Sequence, residues 1–142
     1  MWTVLIFAVS KEPKIKVLAT ESTFADARAL VAQKLVFATG LLSDQLLYFF
    51  LLVNLLLKAY YSIDLDAMVP MDAVRNIKVP ILLMHGGKNK RLAANNSYRI
   101  CSNAKLQSQV WFVPDAKHSD IFHSMPEIYI DKLLEYYSGR LL

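Results

Sequence analysis

The sequence predicts an α/β fold built from about three parallel strands with flanking helices. Three short apolar runs, at residues 15–20, 79–84 and 109–113, have the length and the β-branched or aromatic character of strands. Stretches with the helical spacing of apolar residues separate these runs. Strands that alternate with helices form parallel sheets through right-handed crossovers. The 142 residues are therefore interpreted as a single domain, since they are too few for two.

The first part of the chain predicts a helix, a strand and two further helices. An apolar helix at residues 1–9 ends before Pro13, because proline cannot continue a helix. The strand at 15–20 follows, and residues 26–37 then show helical spacing, with Gly40 able to close that helix. Residues 43–61 form the next predicted helix, with Ser43 as its N-cap.

The second part predicts two more strands among three helices. Pro70 suits the first turn of a short helix at 71–76. The run at 79–84 is apolar throughout, as in strands buried on both faces of a parallel sheet, and the run at 109–113 has the same character. Helices are expected at 95–101 and at 126–138, with Gly139 following the end of the last one.

One stretch, at residues 46–57, is apolar except for Asn54. It is too short to span a bilayer, which takes about 20 residues. Extending it back to Leu35 would place the charge of Asp44 in lipid. We expect a buried or interfacial helix, and contact of residues 46–57 with a membrane surface stays open. The apolar amino terminus lacks the basic residues and the cleavage site of a secretory signal.

Composition narrows the possible functions. Hydrophobic residues make up 55% of the chain and charged residues 20%, which favours a packed core over disorder. The basic residues behind the net charge of +4 are scattered, so no nucleic-acid partner is predicted. The single cysteine, Cys101, excludes an internal disulfide and predicts a cytoplasmic protein. No cofactor is predicted, and the spacing of His85, His118 and His123 does not fit a metal site.

Candidate chemistry lies just beyond the carboxyl ends of the predicted strands, where functional groups of such sheets gather. Glu21 and Ser22 follow the first strand, residues 85–90 the second, and residues 114–119 the third. His118 is the main candidate, because an imidazole titrates near neutral pH and can act as a general base. A surface histidine in a polar loop is the alternative interpretation.

Two segments together resemble the carboxyl-terminal part of the α/β-hydrolase fold: Pro-Ile-Leu-Leu-Met-His-Gly-Gly-Lys-Asn at 80–89 and Pro-Asp-Ala-Lys-His at 114–118. In that family a strand ends in His-Gly, the acid of the catalytic triad stands three residues later, and the next strand leads into the loop of the catalytic histidine. Residues 12–24, 70–79 and 126–137 fit the same order, and residues 35–61 match the cap or lid helices in placement. The resemblance is to serine hydrolases and peptidase-like esterases, and it implies His118 as base and Asn89 at the acid position.

Three departures from the family pattern bear on activity. Asn89 replaces the acid, and an amide cannot stabilise an imidazolium by charge; in one serine-protease triad this change lowers turnover about 10⁴-fold. Lys117 stands where a glycine usually precedes the histidine. No Gly-x-Ser-x-Gly occurs, since the glycines stand at positions 40, 86, 87 and 139. The nucleophile and the oxyanion hole are therefore expected in sequence that this chain does not contain.

Other residues could contribute to the site. Glu21 could supply a carboxylate to His118 from the neighbouring strand end, although a capping or surface role is favoured. Ser119 and Cys101 are interpreted as structural rather than nucleophilic. His85 is interpreted as a structural residue at the end of its strand.

The sequence thus predicts a truncated α/β-hydrolase of the ester or amide class that is inactive as an isolated chain. A small-molecule ester or amide would be its substrate only after the missing half is supplied, with an acyl-enzyme intermediate and His118 as base. The alternative is a non-catalytic binding or assembly protein that keeps half of the fold. Such a protein would self-associate through an open sheet edge and exposed apolar surface.

Overall fold

A computed structural model of the chain describes residues 2–39 and 44–141. The elements are, in order, α1 (Trp2–Val9), β1 (Leu18–Glu21), α2 (Ala27–Thr39), α3 (Asp44–Tyr61), α4 (Pro70–Ala73), a 3₁₀ turn (Val74–Asn76), β2 (Ile81–Gly86), α5 (Asn95–Asn103), β3 (Gln109–Val113), α6 (Ile121–Ser124) and α7 (Pro126–Leu141). Gly40 and Ser43, which were predicted to end one helix and begin the next, lie outside the described residues.

The three strands form one parallel sheet in the order β1-β2-β3, so the predicted sheet with flanking helices is confirmed. All six residues of β2 are buried, as its continuous apolar run predicted. The same prediction for β3 is wrong, because Gln109 and Phe112 are exposed. Within the described sheet β3 is an edge strand, with a neighbouring strand on one side only.

The core lies on both faces of β2. Ile81 and Leu83 pack in one cluster with Ile6 of α1 and Ile100 of α5. Leu82 and Met84 alternate with them and pack on the opposite face, in a cluster with Val113 of β3, Ile121 of α6 and Tyr136 of α7. These two clusters fix β2 in position, and with it the polar segment that follows the strand.

The chain divides into two compact units. The sheet unit comprises Met1–Ala25 and Pro70–Leu142, and the helical unit is Asp26–Val69, which contains α2 and α3. Inside the helical unit, Asp66 binds Arg28 at 3.1 Å and Asn54 at 3.2 Å. A single partial domain with cap helices at 35–61 remains a prediction.

The helix α3 exposes most of its apolar side chains. Phe50 is buried, whereas the exposed group comprises Leu47, Tyr48, Phe49, Leu51, Leu52, Leu55, Leu56, Tyr60 and Tyr61. The predicted buried helix is therefore wrong for this chain, and the interfacial alternative stays a prediction. Among the described residues, none of the helices combines the length and apolar character that crossing a membrane requires.

The carboxyl-terminal helix runs past its predicted end. Gly139 was expected to follow it, but α7 continues to Leu141. Arg140 donates a hydrogen bond to the main-chain oxygen of Tyr136 at 3.0 Å, and its guanidinium lies 3.9 Å from the centre of the Tyr136 ring. These contacts stabilise the last turn and outweigh the low helix propensity of the glycine.

Candidate functional site

The carboxyl ends of the three strands are hydrogen-bonded to one another. The N–H of Ser22, directly after β1, donates to the carbonyl of Met84 in β2 at 2.9 Å. The N–H of Gly87, directly after β2, donates to the carbonyl of Val113 at the end of β3 at 2.7 Å. The three predicted corners therefore form one continuous edge of the sheet.

Gly86 allows the segment after β2 to lie against the loop that carries His118. A Cβ atom at position 86 would overlap the carbonyl oxygens of Ala116 and Lys117. The N–H of Lys88 donates to the carbonyl of Ala116 at 2.9 Å and holds the two segments together. The glycine of the His-Gly pair thus permits a close backbone approach that the Cβ atom of any other residue would block.

His85 is a fully buried structural residue, as the sequence predicted. Its Nε2 lies 3.0 Å from the carbonyl oxygen of Leu92, which can only accept, so Nε2 carries the proton. Nδ1 then accepts from the hydroxyl of Ser97 at 2.8 Å. Burial lowers the pKa of His85, which keeps the ring neutral at pH 7.

Asn89 uses its side chain to fix the loop rather than to bind the catalytic-histidine candidate. Its Oδ1 accepts from the N–H groups of Arg91 and Leu92, both at 3.0 Å, and its Nδ2 donates to Oγ of Ser22 at 3.2 Å. Its Nδ2 also lies 3.4 Å from Nε2 of His85, but both nitrogens carry hydrogen, so this contact is not a hydrogen bond. The amide therefore connects the segment after β2 to the end of β1.

His118 lines an open cavity of about 780 Å³ beyond the strand ends. Asn89 lines the same cavity, so the structure brings the two predicted site residues to one place. The Nδ1 atom of His118 is buried and has no hydrogen-bond partner among the described residues. Burial, together with the charge of Arg91, lowers the pKa of His118. The result is a neutral imidazole whose protonated form lacks stabilisation.

Glu21 does not hydrogen-bond to His118. Its Oε1 accepts from the N–H of Ile121 at 3.2 Å, at the start of α6, which agrees with the favoured capping role. The alternative surface role is wrong, because Glu21 is only 3% exposed as a residue, and burial raises the pKa of its carboxyl group.

Ser22 is a residue whose role sequence reasoning missed. Its Oγ accepts from Asn89 and also from the N–H of Ser119, at 3.2 Å in each case. Ser22 and Ser119 both adopt left-handed backbone conformations, with φ of 52° and 53°. Non-glycine residues adopt this conformation uncommonly, and it clusters at functional sites. The position of Ser22 directly after a strand was the available sequence signal.

The remaining candidates stand apart from the cavity. The Sγ of Cys101 donates to the carbonyl of Ser108 at 3.4 Å, and burial raises the pKa of its thiol, which disfavours a nucleophilic role. The ring of His123 lies 5.7 Å from that of Phe122. Within residues 2–39 and 44–141, no cluster of three His, Cys, Asp or Glu side chains could hold a metal ion.

Solved structures supply the comparison that decides the fold. An esterase of Pyrococcus furiosus superposes with a TM-score of 0.67 at 17% identity, over 97% of this chain and 50% of its own. An acylaminoacyl peptidase of Pyrococcus horikoshii gives 0.65 at 15% identity, over 98% and 22%. The esterase domain of a Rhodothermus marinus protein gives 0.56 at 16% identity, over 82% and 46%. No protein-family model and no curated protein matches the chain.

The chain has part of the α/β-hydrolase fold. The resemblance stated from the segments at 80–89 and 114–118 is thus confirmed at the level of the fold. The chain spans about half the length of the Pyrococcus furiosus esterase and about a fifth of the peptidase. The assignment of His118 as the catalytic base and of Asn89 to the acid position remains a prediction.

Proposed function

We propose that this chain supplies the histidine-bearing part of an ester or amide hydrolase, and that the 142 residues alone do not catalyse hydrolysis. The observation that carries the proposal is the position of His118, which lines an open cavity beyond the strand ends of a hydrolase fold. Two esterases and a peptidase among the similar structures support the class of reaction. His118 would act as the general base, with Asn89 at the acid position.

The proposed reaction needs a serine supplied by another segment. Its hydroxyl attacks the carbonyl carbon of the substrate while His118 takes the hydroxyl proton, and His118 then passes that proton to the leaving alcohol or amine. Water repeats the sequence and releases the acid. The lowered pKa of His118 suits the first step, because a neutral imidazole can accept a proton.

Two observations support inactivity of the chain alone. The sequence contains no Gly-x-Ser-x-Gly, and no described serine forms a hydrogen bond with His118. The amide of Asn89 is bonded to Ser22 and to the backbone of residues 91 and 92, so it supplies neither charge nor a hydrogen bond to the imidazole. An imidazolium formed at His118 would therefore be poorly stabilised.

The first experiment uses the purified 142-residue chain. We expect only background hydrolysis of p-nitrophenyl acetate and no serine labelled by a fluorophosphonate probe. His118→Ala is the test variant, and His123→Ala is its matched control, because it also removes one imidazole. Turnover that His118→Ala abolishes and His123→Ala preserves would contradict the proposed inactivity.

A second experiment tests the role of His118 through the coding sequence upstream of Met1. An in-frame Gly-x-Ser-x-Gly there, with the extended protein hydrolysing p-nitrophenyl acetate, would support the proposal. In that protein His118→Ala should abolish turnover, whereas His123→Ala should leave it unchanged. Full activity in the extended His118→Ala variant would refute the assignment of the base.

A second candidate function is assembly, favoured by the surfaces that the chain leaves open. In the described sheet β1 pairs with β2 only, and unpaired strand edges recruit further chains. The apolar side chains of α3 add a second surface, which could bind another copy or a membrane surface through residues 46–57. Light scattering after size exclusion would show dimers or larger species if this function holds, and a stable monomer would exclude self-assembly. Absence of co-sedimentation with liposomes would exclude the membrane contact.

A further inference from the structure

The cavity beside His118 is lined by positive charge. Its walls comprise Gly87, Lys88, Asn89, Lys90, Arg91, Lys117 and His118, with no carboxylate among them. Lys88 is paired with the exposed carboxylate of Asp115 at 2.7 Å. Lys90, Arg91 and Lys117 form no ion pair with any described residue. Three unpaired cations therefore border one concavity.

This charge acts on the interior of the cavity. Burial is the main cause of the lowered pKa of His118, and the positive charge of Arg91 lowers it further, so the imidazole lies within the field of Arg91. Low-dielectric walls concentrate such a field and raise the local concentration of anions. The side-chain oxygen of Asn89, which could have offset the charge, is bonded to the N–H groups of Arg91 and Leu92.

We propose that the cavity binds the anionic group of a small molecule and prefers phosphate to a carboxylate. Phosphate presents more negative charge and more acceptor oxygens to the three cations than a single carboxylate does. As a statement about the substrate, this inference rests on the proposed function. The substrate is then an ester or amide that carries an acidic group. Binding itself requires no hydrolysis, so the two proposals can fail separately.

The experiment follows the histidine ring signals of the 142-residue chain by NMR. Inorganic phosphate is titrated at constant ionic strength set with sodium chloride, and acetate is titrated in parallel. We expect a saturable change at His118, a raised pKa for that residue, and weaker binding of acetate. The signals of His123 should not change and serve as the internal control.

Variants matched in net charge test the location. Arg91→Gln with Lys117→Gln should weaken phosphate binding about ten-fold or more, which is the effect of losing about 1.4 kcal/mol. Lys34→Gln with Lys105→Gln removes two exposed cations outside the cavity lining and should leave the affinity unchanged. The single variant Lys117→Gln repeats the test with a smaller perturbation of the loop.

Four results would overturn the inference. A linear shift that does not saturate, or equal shifts with added chloride, would indicate an adventitious ion only. Equal loss of affinity in both double variants would indicate attraction to the net charge and not to the cavity. Acetate binding as tightly as phosphate would contradict the stated preference.

Discussion

The side chain of Asn89 provides the sharpest test of the site geometry. It is buried and makes three hydrogen bonds, two to main-chain N–H groups at 3.0 Å and one to Oγ of Ser22 at 3.2 Å. Asn89→Ala removes all three and releases the segment after β2 from the end of β1. We therefore predict that this variant lowers the free energy of unfolding.

The magnitude follows from the fate of each partner of Asn89. The N–H of Leu92 is in a buried residue, and an unsatisfied buried donor costs about 1–3 kcal/mol. Arg91 is exposed, so water can replace its bond, and the contact with Ser22 contributes about 0.5–1.5 kcal/mol. The expected loss is about 2–4 kcal/mol. For a domain of this size, that corresponds to a fall in Tm of about 10 °C.

Urea unfolding followed by far-UV circular dichroism measures this loss. Asn89→Asp is the matched control, because a carboxylate oxygen can still accept from both N–H groups and the hydroxyl of Ser22 can donate to the other oxygen. The cations of the cavity also favour a negative charge at this position. We expect Asn89→Asp to unfold within about 0.5 kcal/mol of the wild type or to be more stable at pH 7.

Two results would refute this reasoning. One is an Asn89→Ala variant with wild-type stability, which would show that the three hydrogen bonds contribute nothing net. The other is an Asn89→Asp variant destabilised as much as Asn89→Ala, which would show that the acceptor oxygen is not the relevant feature.

Three further predictions concern the glycines and the buried titratable groups. In thermal melts Gly86→Ala should show no folded state, because its Cβ would overlap two carbonyl oxygens. Gly139→Ala should instead raise the free energy of unfolding by about 0.5–1 kcal/mol, because position 139 lies inside α7 and a Cβ there meets open space. Burial raises the pKa of Glu21 above its usual 4.5, so the native state loses stability as the pH rises through the folded pKa. Glu21→Gln should therefore gain stability relative to the wild type between pH 4.5 and 7. In urea melts, a stability difference between the two proteins that does not change with pH would contradict this. Burial lowers the pKa of His85 below its usual 6.5, so as the pH falls the unfolded state takes up a proton before the folded state does. The free energy of unfolding should therefore decrease as the pH drops below 6.5. In urea melts this free energy should depend less on pH in His85→Gln.

The sheet could be predicted from the sequence because its signals were local. The run at 79–84 is apolar throughout, and β2 is buried on both faces as a consequence. The run at 109–113 carries the same local signal, yet β3 lies at an edge of the described sheet. The order of strands depends on contacts distant in sequence, and a local pattern does not report it.

The site was predictable in its location and not in its bonding. The positions of Asn89 and His118 beyond their strands followed from the order of the elements. The bond from Asn89 to Ser22 joins residues 67 positions apart, and no periodicity contains such a contact. Only the hydrogen bonds that Asn89 accepts from the N–H groups of Arg91 and Leu92 had a local signal in the sequence. Asparagine side chains often accept from backbone N–H groups a few residues later in turns.

The two ends of the helical unit are hydrogen-bonded to each other, since the N–H of Ala27 donates to the carbonyl of Met68 at 3.0 Å. In the sheet unit, the N–H of Met71 likewise donates to the carbonyl of Ala25 at 3.1 Å. Closing a loop costs only about 0.6 kcal/mol for each doubling of its length. We therefore expect residues 26–69 to tolerate shortening, lengthening or exchange, because Ala25 and Met71 remain hydrogen-bonded neighbours in the sheet unit.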